Sequence, residues 1–215
     1  MSADLSLYLV TDAAIAAGAG HDLVEVVRRS TANGVTAVQV REKEAPARRF
    51  LETVVRIAEV IPAGVALLIN DRVDVFLAAR DAGAPVSGVH VGQSDLPARA
   101  VRALIGPDAV LGLSAATPEQ LAAASASGVV DYVGIGALRA TATKRDAPPP
   151  LGQDGFARLA AQTHLPAVAI GGIGERDLPR LRRAGAAGAA VVSAICAAAD
   201  PGAAARTLRG AWDAA

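Results

Sequence analysis

Short runs of apolar and β-branched residues recur at fairly even intervals along the chain. They fall at Leu5–Val10, Val35–Val40, Val65–Ile69, Gly88–Val91, Val110–Leu113, Tyr132–Ile135, Ala167–Ile170 and Ala189–Val192. Each has strand length. Between them the apolar positions change period, to three- and four-residue spacing. Leu23–Val26–Val27 and Phe50–Leu51–Val54–Val55–Ala58 show it best, and that spacing lines one face of a helix. Pro46, Pro97 and Pro118 sit at helix starts, where a missing N–H costs nothing, and Thr117 and Asp95 read as caps beside them. Asn33–Gly34, Gly83, Gly128 and Gly185 stand where helices should stop.

Eight strands alternating with helices predict a parallel sheet with helical crossovers, and at this length a single (β/α)8 TIM barrel spanning residues 1–215. An open doubly wound sheet is the alternative that periodicity leaves. No Gly-x-Gly-x-x-Gly opens the first unit, which disfavours its dinucleotide-binding form. The longest irregular stretch is Arg139–Gly155, with Pro148–Pro149–Pro150 inside it. Loops of that length in compact domains are usually functional.

Composition narrows the class. Apolar residues make up 52% of the chain, which excludes disorder, and aromatics only 3%, so the core must be aliphatic. Basic and acidic residues balance at 21 each. Neither a nucleic acid nor an anionic membrane would meet a basic field. The single cysteine, Cys196, excludes an intrachain disulfide and a cysteine-cluster metal site. A soluble cytoplasmic protein follows as the expectation, with no secretory pattern and no membrane span; a homo-oligomer stays open.

In a barrel the chemistry belongs at the carboxyl ends of the strands, and the polar residues collect there. Gln39, Arg41 and Lys43 alternate, so an extended chain turns all three to one face. Two cations and an amide suit a diphosphate or another polyanion, although for these three residues alone a solvated strand end is the better explanation, since charged strand ends are common. Asp71 and Asp95 end consecutive strands and could share a hard cation such as magnesium, or could simply cap helices. Thr141, Thr143 and Lys144 could close over phosphates or decorate a polar loop. Gly171–Gly172 and Val192–Ser193 follow strands seven and eight, where barrels frequently hold a phosphate; turn geometry also explains the glycines. Lysine occurs only at Lys43 and Lys144, against nineteen arginines, and both fall in strand-end loops. His21, His90 and His164 are scattered. His90 reads as a core histidine, and Tyr8, Trp212 and Cys196 as packing residues.

These strand ends form a familiar series. Gln39-Val40-Arg41-Glu42-Lys43, Ile69-Asn70-Asp71-Arg72-Val73-Asp74 and Gly88-Val89-His90-Val91-Gly92-Gln93-Ser94-Asp95-Leu96 appear in order. Asp131-Tyr132-Val133-Gly134-Ile135-Gly136 leads on to Thr141-Ala142-Thr143-Lys144, then Gly171-Gly172 and Val192-Ser193. Together they resemble the thiamine-phosphate synthase family from Leu7 to about Ile195. The resemblance implies a transferase of thiamine biosynthesis acting on small phosphorylated substrates. It would join 4-amino-2-methyl-5-pyrimidinylmethyl diphosphate to 4-methyl-5-(2-phosphoethyl)thiazole, giving thiamine phosphate and diphosphate. It further implies that Gln39, Arg41, Lys43, Asn70, Ser114 and Lys144 hold the pyrimidine diphosphate, with Arg41, Lys43 and Lys144 acting in catalysis. Thr141, Ala142, Thr143, Gly172, Val192 and Ser193 would hold the thiazole phosphate, and Asp71 and Asp95 would bind Mg2+.

The chain departs from the family pattern in three places. Ala116 stands where a histidine is usual, Gly136-Ala137-Leu138-Arg139 replaces a Gly-Pro-aromatic run, and the stretch Asp71 to Asp95 is longer, around Arg80–Ser87. A thiazole tautomerase-like paralogue and a non-catalytic thiamine-precursor-binding protein are the alternatives.

Overall fold

The computed structural model of the protein describes residues 3–140 and 150–215. Eight parallel strands close into a barrel in chain order. They are β1 (Leu7–Val10), β2 (Ala37–Val40), β3 (Ala66–Asn70), β4 (Gly88–Val91), β5 (Val110–Ser114), β6 (Tyr132–Gly136), β7 (Ala167–Ile170) and β8 (Gly188–Val191). Closure pairs β1 with β8, Leu7 opposite Ala189 and Leu9 opposite Val191. The open-sheet alternative is thereby excluded.

The helices are α1 (Ala13–Gly18), α2 (Leu23–Thr31), α3 (Ala47–Ala58), α4 (Val73–Asp81) and α5 (Ala98–Ile105), then α6 (Pro118–Ser127), α7 (Gly152–Ala160), α8 (Leu178–Arg183), α9 (Ser193–Cys196) and α10 (Pro201–Asp213). Every strand is covered on both faces, which is why strands read as near-continuous apolar runs. Alternate residues divide the core in two. Leu7, Leu9, Val38, Val40, Leu67 and Ile69 face outward and join Phe50, Val54, Ile57 and Phe76 of the helices. Tyr8, Val10, Ala37, Leu68, Tyr132 and Val168 fill the lumen. Each fully buried aliphatic or aromatic side chain contributes roughly 1.5–3 kcal/mol.

Helix ends follow the local chemistry. Thr117 caps α6 by accepting from Gln120 N at 3.3 Å, with Pro118 in the first turn. Gly128 ends α6 at φ +66°, a conformation that favours glycine. Asp95 does not cap α5: Pro97 holds that position without a side-chain bond, and the Asp95 carboxylate turns back to Gly92 N at 2.7 Å. The stretch around Arg80–Ser87 spans the end of α4 and the connection into β4. It therefore reaches the amino ends of the strands, away from Asp71 and Asp95.

Candidate active site

A pocket of about 560 Å3 opens at the carboxyl ends of the strands. Each strand-end segment delivers its polar residues there. Gln39, Arg41 and Lys43 come from β2 and its extension, Asn70 and Asp71 from β3, Asp95 from the turn after β4, and Ser114 from β5. Gly171 and Gly172 follow β7, and Val192 and Ser193 follow β8 into α9. All these residues expected from the sequence line one pocket. Thr141, Ala142, Thr143 and Lys144 lie outside the described residues. A second cavity, of about 520 Å3, lies at the opposite end of the barrel. It is lined by Asp4, Asp108 and Asp131 and by no described cation, so it does not attract phosphorylated molecules.

The carboxylate pair is built by two tight turns. Asp71 has φ +60°, the one non-glycine in the left-handed region among the described residues. Its N–H donates to His90 O at 2.8 Å and its carbonyl accepts from Val73 N at 3.1 Å, which fixes the strained backbone. Asn70 Nδ2 donates to Asp71 Oδ2 at 2.6 Å. Burial pushes the Asp71 carboxyl up to about 6, and the neighbouring Asp95 carboxylate pushes in the same direction; Asn70 and Lys43 oppose them. Two carboxyl groups turned toward each other in a half-buried place repel unless a proton or cation lies between them. Among the described residues no group of three or more His, Cys, Asp or Glu could hold a metal. Among the described residues the donor set is thus a pair of carboxylates, Asp71 and Asp95. That fits magnesium, which is often held by one or two carboxylates plus substrate phosphates and waters.

The opposite wall is a glycine turn. Gly171 and Gly172 have φ of +100° and +65°. A Cβ on Gly172 would come within 2.9 Å of Arg139 Cβ, so this wall admits only glycine at that point. Arg139 Nη1 donates to Gly172 O at 3.0 Å, and the guanidinium makes a two-point contact with Asp177 at 2.5 Å. Asp177 also accepts from Gly174 N at 2.9 Å and Gln153 Nε2 at 2.6 Å. The departure at Arg139 therefore has a structural partner, and Arg139 braces the turn on the outside of the pocket. At Ala116 the backbone N–H is taken by Gln120 Oε1 at 2.7 Å, and both residues line the pocket.

The arrangement suits a substrate with two anionic groups and an apolar middle: cations and a carboxylate pair on one side, a glycine turn on the other, aliphatic residues between.

Comparison with known proteins gives the family. The family model described as thiamine monophosphate synthase matches residues 7–195. The chain belongs to the thiamine monophosphate synthase family. A thiamine-phosphate synthase of Azorhizobium caulinodans is 49% identical over 207 residues, covering 96% of this chain and 94% of that protein. One from Corynebacterium efficiens is 43% identical, covering 95% and 94%. The structure of a thiamine phosphate pyrophosphorylase from Pyrococcus furiosus superposes with a TM-score of 0.86 at 31% identity, covering 98% of this chain and 96% of that one. A 3-hexulose-6-phosphate synthase, 18% identical with a TM-score of 0.69, shares the barrel alone.

The floor of the pocket carries a hydrogen-bonded chain that no motif announces. Tyr8, read as a packing residue, does pack in the lumen, and its hydroxyl also accepts from Gln39 Nε2 at 2.8 Å and lies 2.9 Å from the Tyr132 hydroxyl. His90 Nδ1 is 2.9 Å from the same Tyr132 hydroxyl, and His90 Nε2 is 3.0 Å from Ser114 Oγ. These five residues come from five strands. No spacing in the chain announces them; only barrel closure brings them together.

Proposed function

We propose that this chain is a thiamine-phosphate synthase, joining 4-amino-2-methyl-5-pyrimidinylmethyl diphosphate to 4-methyl-5-(2-phosphoethyl)thiazole with release of diphosphate. The observation that carries the reading is the convergence of Arg41, Lys43, Asp71, Asp95 and the Gly171–Gly172 turn on one pocket. Membership of the family supports it. In this reading Gln39, Arg41, Lys43, Asn70, Ser114 and Lys144 hold the pyrimidine diphosphate. Thr141, Ala142, Thr143, Gly172, Val192 and Ser193 hold the thiazole phosphate.

Asp71 and Asp95 would hold Mg2+, which supplies neutralisation of the diphosphate charge when bound. The C–O bond to the pyrimidine methylene breaks, and its electron pair leaves with diphosphate. The thiazole nitrogen lone pair then forms the new C–N bond. Arg41 and Lys43 stabilise charge gathering on the departing oxygens. Arg41 is itself oriented by the fold: its backbone N–H donates to Thr11 Oγ1 at 3.0 Å, and its guanidinium lies 3.9 Å from Asp12. Aliphatic walls such as Val168 and Ile170 exclude water that would otherwise capture the methylene cation. No acid or base is required in the bond exchange.

The reading also places the protein in the cytoplasm. Its one cysteine, Cys196, is buried and unpaired, as suits a reducing compartment. Among the described residues no helix is long and apolar enough to cross a membrane.

The test is product identity. Incubation with both precursors should yield thiamine phosphate by mass, and neither precursor alone should. Saturable binding of the precursors with no coupled product would overturn the proposal in favour of a binding protein.

A further inference from the structure

The buried hydrogen-bonded chain that lines the floor of the pocket has a direction. Gln39 Nε2 can only donate, and it donates to Tyr8 Oη. The Tyr8 proton then has one acceptor among the partners of that hydroxyl, Tyr132 Oη. Tyr132 in turn has His90 Nδ1 left to receive its own proton. An imidazole that accepts at Nδ1 carries its proton on Nε2, and Nε2 faces Ser114 Oγ. Ser114, having accepted, keeps its own proton to give. Burial pushes the Tyr8 hydroxyl up to about 12, and it pushes Tyr132 upward too, so both stay protonated links. Satisfied buried hydroxyls hold one order, because reversing one bond means reversing all of them.

All five residues of this chain line the pocket, and its two ends are Gln39 and Ser114. With one of its two amide N–H groups given to Tyr8, Gln39 has its carbonyl oxygen to offer as an acceptor. Ser114 offers an O–H. We propose that Tyr8, Tyr132 and His90 are positioning residues, a relay of fixed polarity that makes Gln39 an acceptor and Ser114 a donor, selecting a heterocycle with an amino group and a ring-nitrogen acceptor. This rests on the coupling reaction proposed above and assigns the specificity of its pyrimidine side. An oxo group in place of the amine turns a donor into an acceptor and meets the Gln39 oxygen with like polarity.

Two measurements test the relay. The first is nitrogen-15 NMR of the histidine-labelled, ligand-free protein at mildly alkaline pH, where a free imidazole is neutral, with a His90→Gln variant to assign the signal. The relay requires His90 with a bare Nδ1 and a protonated Nε2. A proton on Nδ1 would reverse the chain and overturn the proposal. The second is kinetic. Tyr132→Phe keeps the ring and removes one link. The KM for the aminopyrimidine diphosphate should rise about tenfold, the worth of one good hydrogen bond. The KM for the thiazole phosphate should stay put, and preference over the 4-oxo analogue should narrow. Lower thermal stability with both KM values and the preference unchanged would mean that the chain is structural only, and would also overturn it. The tautomer is read without substrate, so a failed relay and a failed coupling reaction are told apart.

Discussion

At residue 112 a side chain as small as a methyl would come within 2.5 Å of His90 Nδ1 and closer still to the Tyr132 ring. The polar chain across the lumen thus depends on an atom that is missing. Gly112→Ala should destabilise the protein by about 1–3 kcal/mol through overpacking, read from urea denaturation. Unchanged stability would mean that the lumen is looser than the structure shows. Asp71 is the other residue on which the site turns. Asp71→Asn keeps the shape and removes the charge, and should leave the fold intact while lowering turnover on the order of 100-fold. Tightness of magnesium binding, by calorimetry, should fall with it; a variant that binds magnesium as the unaltered protein does would exclude Asp71 as a ligand. Asp71, Asp95, Arg41 and Lys43 were legible in the sequence because each sits at a strand end that periodicity marks. Tyr8, Tyr132 and His90 were not legible as one unit, because their partners stand on other strands and an inward-facing tyrosine looks like any other core residue.

Elements show the same division between local and distant information. Strand positions and glycine stops came from short-range patterns, and the barrel placed all eight strands as expected. Asp95 shows the limit. Its place before Leu96-Pro97 fits a cap, yet the turn back to Gly92 N satisfies it instead. Arg139 stood out only as a departure, and its partner Asp177 lies 38 residues on, in the turn before α8. That pair ties the end of β6 to the glycine turn after β7. Arg139 holds the Asp177 carboxyl below the ordinary carboxylate range. The folded protein therefore gives up this proton more readily than the unfolded chain does. The stabilisation is complete above the usual Asp pKa of about 3.9, and is lost as pH falls through the lowered folded value. Arg139→Gln should cost about 1–3 kcal/mol near neutral pH, since the buried carboxylate loses its charged partner. The difference from the unaltered protein should shrink in acid. Denaturation at several pH values checks this, and a difference constant with pH would contradict it.

The whole molecule separates its two ends. Stability features such as the α4–β4 connection lie at the amino ends of the strands, and chemistry lies at the carboxyl ends. The longer stretch before β4 therefore leaves Asp71 and Asp95 facing one another. Pro85 is exposed in that connection, and Pro85→Gly should cost no more than about 1 kcal/mol, with kcat and KM unchanged. A shift in either constant would show that the two ends are coupled. The central claim concerns the carboxyl end: that Asp71 and Asp95 would hold a magnesium ion, which would neutralise the charge of the diphosphate released as the two rings join. It is tested most directly by measuring diphosphate and thiamine phosphate together during a magnesium titration with both precursors present. The account predicts equal amounts of the two products, rising together with magnesium and absent without it. Coupled product formed at full rate without a divalent cation, or diphosphate released with no thiamine phosphate, would contradict it.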